Sequence, residues 1–178
     1  MTRLGKFLHN HSAAEIRRKT NISQARLSLL TNDYTTKIYA EEFYLISLAI
    51  KADIDLMANE VFQDFKLQLL NLPDPSNNKS SKELTRFGQL LKSKLNNPAT
   101  LSRLTGIKKS RISSLSNKQN SGLLGYELFL ISLALNISPK NAWETLYEGI
   151  HLKSPEEEIE LKQIEAANRK KTNNKKPL

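Results

Sequence analysis

Lys109, Ser110, Ser113, Ser114 and Asn117 share one side of a short stretch with helical periodicity. Ile112 and Leu115, at i and i+3, take the other side. The polar side carries short hydroxyl and amide groups that both donate and accept hydrogen bonds, plus an ammonium donor. That is the chemistry of close contact with a polar surface rather than of bond making. Between Glu83 and Glu127 there is no acid, and eight bases fall there: Arg86, Lys92, Lys94, Arg103, Lys108, Lys109, Arg111 and Lys118. A surface of one sign suits a polyanionic partner, and it equally suits a solvated face that keeps the chain dissolved. Residues 1–75 hold 9 bases and 9 acids, so the whole net charge of +9 lies in the remainder.

Other chemistry has little to stand on. His9-Asn10-His11 is a local cluster, whereas a metal-dependent nuclease needs ligands gathered from separated positions, and it reads as surface at a helix end. His151 stands alone. There is no phosphate-binding G-x-x-x-x-G-K loop, paired-carboxylate pattern or Ser/His/Asp set. The expectation is no enzyme, no cofactor and no metal. The chain has no cysteine, which excludes a disulfide framework and a thiolate metal site and fits a reducing compartment. No apolar run is long enough to span a bilayer, and no signal core precedes the polar residues at His9. The expected location is cytoplasmic, away from membranes.

The elements that must hold the polar face run over 98–117. Two short helices meet at the turn Thr105-Gly106-Ile107, where glycine suits a left-handed backbone. Leu101 and Leu104 point inward from the first helix, Ile107 plugs the turn, and Ser102 is small where the helices cross. Much of this occurs twice in the chain. The segment 2–8 returns as 85–91, and 45–49 returns unchanged as 130–134. At an offset of 85, residues 20–62 lie on 105–147 with 12 identities in 43 positions, among them Arg26 with Arg111, Asn32 with Asn117 and Glu42 with Glu127. A repeat of this kind fixes the architecture: one small unit built twice.

Each unit reads as five helices, near 2–9, 13–20, 24–32, 40–50 and 56–70, then near 83–95, 98–105, 109–117, 125–135 and 139–150. The predicted class is all-α. Ser12 with Glu15 and Ser154 with Glu157 form capping boxes, and Asn97-Pro98 and Ser138-Pro139 are helix starts. The fourth helix of each unit is apolar nearly all round and belongs at the centre of a core. Trp143, Leu146 and Tyr147 read as core, as do Phe62, Phe65 and Leu69, with a partner surface as the second choice for each set. The domain plan is a first unit at 1–70, a linker at 71–81, a second unit at 82–152, and a C-terminal helix with a basic, disordered tail at 153–178. That tail reads either as a nonspecific DNA clamp or as a soluble end.

The stretch 98–117, together with the run 130–139, resembles the helix-turn-helix of the lambda-repressor-like (Cro/cI, or Xre) family of DNA-binding proteins. The resemblance covers each repeat and implies two tandem five-helix domains. It further implies that the second helix of each motif enters the major groove. The matching base-reading positions are Lys109, Ser110 and Ser114 in the second unit, and Gln24, Ala25 and Leu29 in the first. Lys can donate to guanine, Gln can bridge adenine, and Ala or Leu can touch a thymine methyl. Asn32 and Asn117 match phosphate-contacting positions, and Arg26 and Arg111 are further phosphate candidates. Ser28, Ser113 and Lys118 complete the two faces. Lys108 occupies the place of the N-cap Ser23, so either the helix starts later with Ser110 as its cap, or Lys108 points at phosphate.

The first copy departs from the pattern. Arg17 replaces the small crossing residue, and Asn21 replaces the turn glycine. With balanced charge and Leu29 on its face, this unit reads as a weaker DNA binder or as an assembly surface. The resemblance implies sequence-specific double-stranded DNA binding by a transcriptional regulator, with unequal half-sites and a homodimer as a further option. Two rivals remain. One is a protein-interaction module, coactivator-like or antitoxin-like, on the same scaffold. The other is a nonspecific nucleoid or plasmid-maintenance protein.

Overall fold

A computed structural model describes residues 1–68, 84–94, 97–118 and 121–173. Among them are eleven helices and no strand beyond one isolated bridge. In chain order they are α1 (Arg3–Leu8), α2 (Ala13–Thr20), α3 (Gln24–Asn32), α4 (Ala40–Ala49) and α5 (Ile54–Val61), then α6 (Arg86–Lys94), α7 (Pro98–Thr105), α8 (Lys109–Asn117), α9 (Gly125–Ala134), α10 (Pro139–Tyr147) and α11 (Pro155–Asn173). The expected linker at 71–81 and Leu69 lie outside the described residues.

The helix starts follow from local chemistry. Thr2, Ser12, Ser23, Asp53, Asn97 and Ser138 each accept a hydrogen bond from the amide two or three residues on. The box at Ser154 closes in both directions, with Ser154 N donating to Glu157 Oε2 (2.7 Å) and Glu157 N to Ser154 Oγ (3.3 Å). At Ser12 only half forms, because the Glu15 carboxylate accepts from Lys19 Nζ (2.5 Å). Two ends differ from expectation. α5 starts at Ile54 and stops at Val61 rather than running over 56–70, because Asp53 caps it and the chain turns away after Phe62. α11 continues through Asn173, so its basic residues 169–171 are helical and not a disordered tail; 174–178 lie outside the described residues.

α4 and α9 occupy the centre as their composition requires: Phe43, Ile46, Leu128 and Ile131 have no exposed surface. The repeated serine within each run is buried and satisfied three residues back, Ser47 Oγ by Tyr44 O and Ser132 Oγ by Phe129 O (2.7 Å each). Gly5 and Gly88 allow α1 and α6 to lie close on the third helix of each set. A Cβ there would come within 2.5 Å of Thr31 O and 2.6 Å of Ser116 O.

The two sets of five helices share one core. Gly125 N donates to Ile38 O and Ala40 N to Leu123 O, both 2.8 Å, around the antiparallel bridge of Tyr39 with Leu124. At an offset of 85, Tyr39 and Leu124 are each other's counterparts, and the two hydrogen bonds exchange into one another. The same exchange relates the Tyr44–Tyr147 ring pair (5.8 Å) to the Phe129–Phe62 pair (5.6 Å). It also relates Gln68 N→Leu104 O (2.7 Å) to Lys153 N→Lys19 O (3.0 Å). Lys140 N meets Asp55 Oδ1 (2.8 Å), again at equivalent positions. Reciprocal contacts of this kind define an isologous interface, so the chain carries a pseudo-two-fold axis within itself. The segment after the fifth helix of each set crosses to the other set. Trp143 is fully buried beside Phe43, and its Nε1 donates to Ala40 O (2.8 Å). Burying an aromatic side chain contributes about 1.5–3 kcal/mol, which places much of the cohesion on this axis.

Candidate nucleic-acid interface

α2 and α3 meet at a three-residue turn, and α7 and α8 meet at its counterpart. Asn21 (φ 62°) and Gly106 (φ 72°) both take the left-handed conformation that ends the first helix. Their amides return to Arg17 O (2.8 Å) and Ser102 O (2.9 Å). Thr20 and Thr105 bond back to Ile16 O and Leu101 O (2.7 Å each) and accept from Ile22 N and Ile107 N (3.2 Å each). Ile22 and Ile107 are buried in the turns, and Leu101, Ile112 and Leu115 are buried as expected. Leu104 is only half-buried. Arg17 does not obstruct the helix crossing: its guanidinium points outward to Glu165 of α11, where Arg18 Nη1 also lies 3.6 Å from a carboxylate oxygen.

The outward side of α8 is open. Lys109, Ser110, Ser113 and Asn117 are exposed, as are Lys108 before it and Lys118 after it, and Ser114 is half-exposed. None of these lysines has a carboxylate partner among the described residues. The helix starts at Lys109 with Lys108 in the cap position and no side-chain cap, so the alternative of a later start at Ser110 does not hold. On α3, Gln24, Ala25, Ser28, Leu29 and Asn32 are exposed. Leu29 retains 49 % of its surface. Asn32 and Asn117 each bond back to the carbonyl four residues earlier, Ser28 O at 3.2 Å and Ser113 O at 2.8 Å.

Arg26 and Arg111 are half-buried and clamped. Arg111 Nε and Nη2 reach the two oxygens of Glu127 (2.9 Å each), and Nη2 also donates to Gly122 O (2.7 Å). Arg26 does the same with Glu42 (2.8 Å each) and Lys37 O (2.7 Å). The hydrogen bonds each guanidinium donates to its carboxylate hold it protonated above its ordinary range, against the opposing effect of burial. The same carboxylates accept from Tyr39 N and Leu124 N (3.0 Å each), which starts α4 and α9. One Arg–Glu pair therefore ties the third helix to the fourth in each set. Sequence reasoning took these arginines as phosphate contacts and left Glu42 and Glu127 without a role. The clue was available, since both members of the pair are among the identities at offset 85.

Between the two sets, on the pseudo-two-fold axis, lies an open cleft of about 470 Å³ lined by Arg26, Lys37, Tyr39, Arg111, Ser121, Gly122 and Leu124. Lys37 and Tyr39 are exposed. Sequence reasoning missed this cleft, because its walls come from two loops that meet only in the tertiary structure. Among the described residues, no cluster of His, Asp and Glu could hold a metal, and no helix is long and apolar enough to cross a membrane. His9 and His11 are exposed. No protein-family model, curated protein or solved structure matches the chain.

Proposed function

We propose that the chain is a sequence-specific double-stranded DNA-binding protein, acting as a transcriptional regulator, in which α3 and α8 are the recognition helices of two tandem lambda-repressor-like units. The observation that carries this reading is the pairing of two equivalent helix–turn–helix corners across one axis, each presenting an exposed helix face. On a duplex, such corners occupy half-sites about one turn, roughly 34 Å, apart. Lys109 would donate to guanine, Gln24 would bridge adenine, and Ala25 and Leu29 would touch thymine methyls. Lys108, Lys118, Asn32 and Asn117 would contact phosphate, giving salt-dependent affinity with about 0.9 counterions released per phosphate. The pairing of the sets within one chain lets a single copy span both half-sites, and the unequal faces of α3 and α8 call for unequal half-sites.

Selection of bound duplexes from a random library tests this reading. The expected result is a bipartite consensus whose second half changes when Lys109 and Ser114 are replaced by alanine. Recovery of no consensus, or a consensus indifferent to those replacements, would reject it. The exposed Leu29 on a face with no unpaired cation favours a second reading for α3 alone, a protein-docking surface. In that case Leu29→Ser would leave the selected sequence intact.

A further inference from the structure

We infer that the cleft on the pseudo-two-fold axis is a phosphodiester-binding site that grips the middle of the duplex from one side, through Lys37 and the free edges of Arg26 and Arg111. The inference rests on the DNA-binding reading above and adds a contact outside both recognition helices. A duplex touching both α3 and α8 must cross the axis relating them, and the cleft opens there, flanked by their first turns.

A guanidinium has five N–H donors. In Arg26, Nε and Nη2 are taken up by Glu42 and Lys37 O, and among the described residues the two Nη1 hydrogens have no acceptor. In Arg111, Nη1 has only Ser121 O at 3.5 Å, the limit of a hydrogen bond. The clamps therefore fix both arginines with one edge spare, an arrangement suited to oriented donation to a phosphate oxygen. Glu42 and Glu127 cancel the charges of the two arginines, so the net positive charge of the cleft comes from Lys37. Its ammonium has no carboxylate partner among the described residues. Its counterpart is Gly122, which brings no side chain at all. The site is thus unequal across the axis, and a phosphate on the Lys37 side is held more strongly than its mate. This asymmetry gives the bound duplex a preferred direction independent of base reading.

Lys37→Gln tests this directly, since it removes the charge and leaves the Lys37 carbonyl that Arg26 uses. Measured on a selected duplex, the slope of log affinity against log salt should fall by about 0.9 with the preferred sequence unchanged. The chain has no cysteine, so Ser121→Cys can carry a single DNA-cleaving chelate beside the cleft. Cuts are expected between the half-sites. An unchanged slope in Lys37→Gln, or cuts at the edge of the protected region, would overturn the inference. So would inorganic phosphate at matched ionic strength binding in a Lys37-dependent way that is unchanged when the duplex is bound, since that would mark a free-anion site apart from the DNA. A wild-type chain that selects no duplex would instead defeat the underlying DNA-binding reading.

Discussion

Arg111→Ala separates the structural role of the clamp from any contact with DNA. The replacement leaves the Glu127 carboxylate, only 3 % exposed, with the Leu124 amide as its remaining neighbouring donor. Removing one partner of a buried ion pair costs about 3–5 kcal/mol. Here the Arg111 side chain keeps 32 % of its surface, so water screens part of the interaction and about 2–3 kcal/mol is expected. The sister pair supplies an internal control. Glu42 is more open than Glu127, 18 % against 4 % by side chain, so Arg26→Ala should cost less, about 1–2 kcal/mol. Adding Glu127→Gln to Arg111→Ala removes the stranded charge and keeps an acceptor for Leu124 N, and it should recover about 1 kcal/mol. Trp143 is the only tryptophan and is fully buried, so urea unfolding followed by its emission reads the wild type and all three variants. If Arg26→Ala costs as much as Arg111→Ala, or Arg111→Ala costs under about 0.5 kcal/mol, burial of the carboxylate is not what sets the strength of the clamp. DNA affinity of these variants must be compared only where each is folded.

Three further outcomes are expected. Because the ten helices share one core, urea should unfold the wild type in a single transition by Trp143 emission and far-ultraviolet dichroism, and Trp143→Ala should lower its stability by about 3–5 kcal/mol; two resolved transitions would contradict the shared core. Gly106→Ala should cost about 1–2 kcal/mol, because φ is +72° and the new Cβ would lie 2.8 Å from Gln68 Nε2, whereas Asn21→Gly at the equivalent turn should change stability by only a few tenths; equal effects would refute the conformational argument. Burial pushes the Tyr147 phenol upward from its ordinary 10.0, so the folded chain keeps a proton that the unfolded chain releases. Stability from this group is complete below pH 10 and declines as pH rises beyond it. Ultraviolet titration should show Tyr147 ionising only with unfolding, and ionisation near pH 10 in the intact fold would contradict its burial.

Local order was legible because it depends on near neighbours along the chain. The bounds of α2, α3, α7 and α8 follow from caps, from the left-handed positions Asn21 and Gly106, and from apolar spacing, all set within a few residues. The outward faces of α3 and α8 were readable for the same reason, since a helix with one apolar stripe must present its other side. The repeat at an offset of 85 announced equivalent elements and marked Arg26, Arg111, Glu42 and Glu127 as special without saying why.

The partnership of those residues belongs to the tertiary structure. An arginine and a glutamate sixteen positions apart meet only once the third and fourth helices have packed. The pseudo-two-fold axis is likewise absent from any local pattern, because Tyr39 and Leu124, or Trp143 and Ala40, come together only when two distant segments bury apolar surface that neither set covers alone. The sequence by itself determined two copies of a helical unit, each with an exposed face on its third helix. Long-range burial of aromatic side chains decided that the copies share one core with an open cleft between them, and the packing of the third helix on the fourth within each set decided that the arginines are clamped.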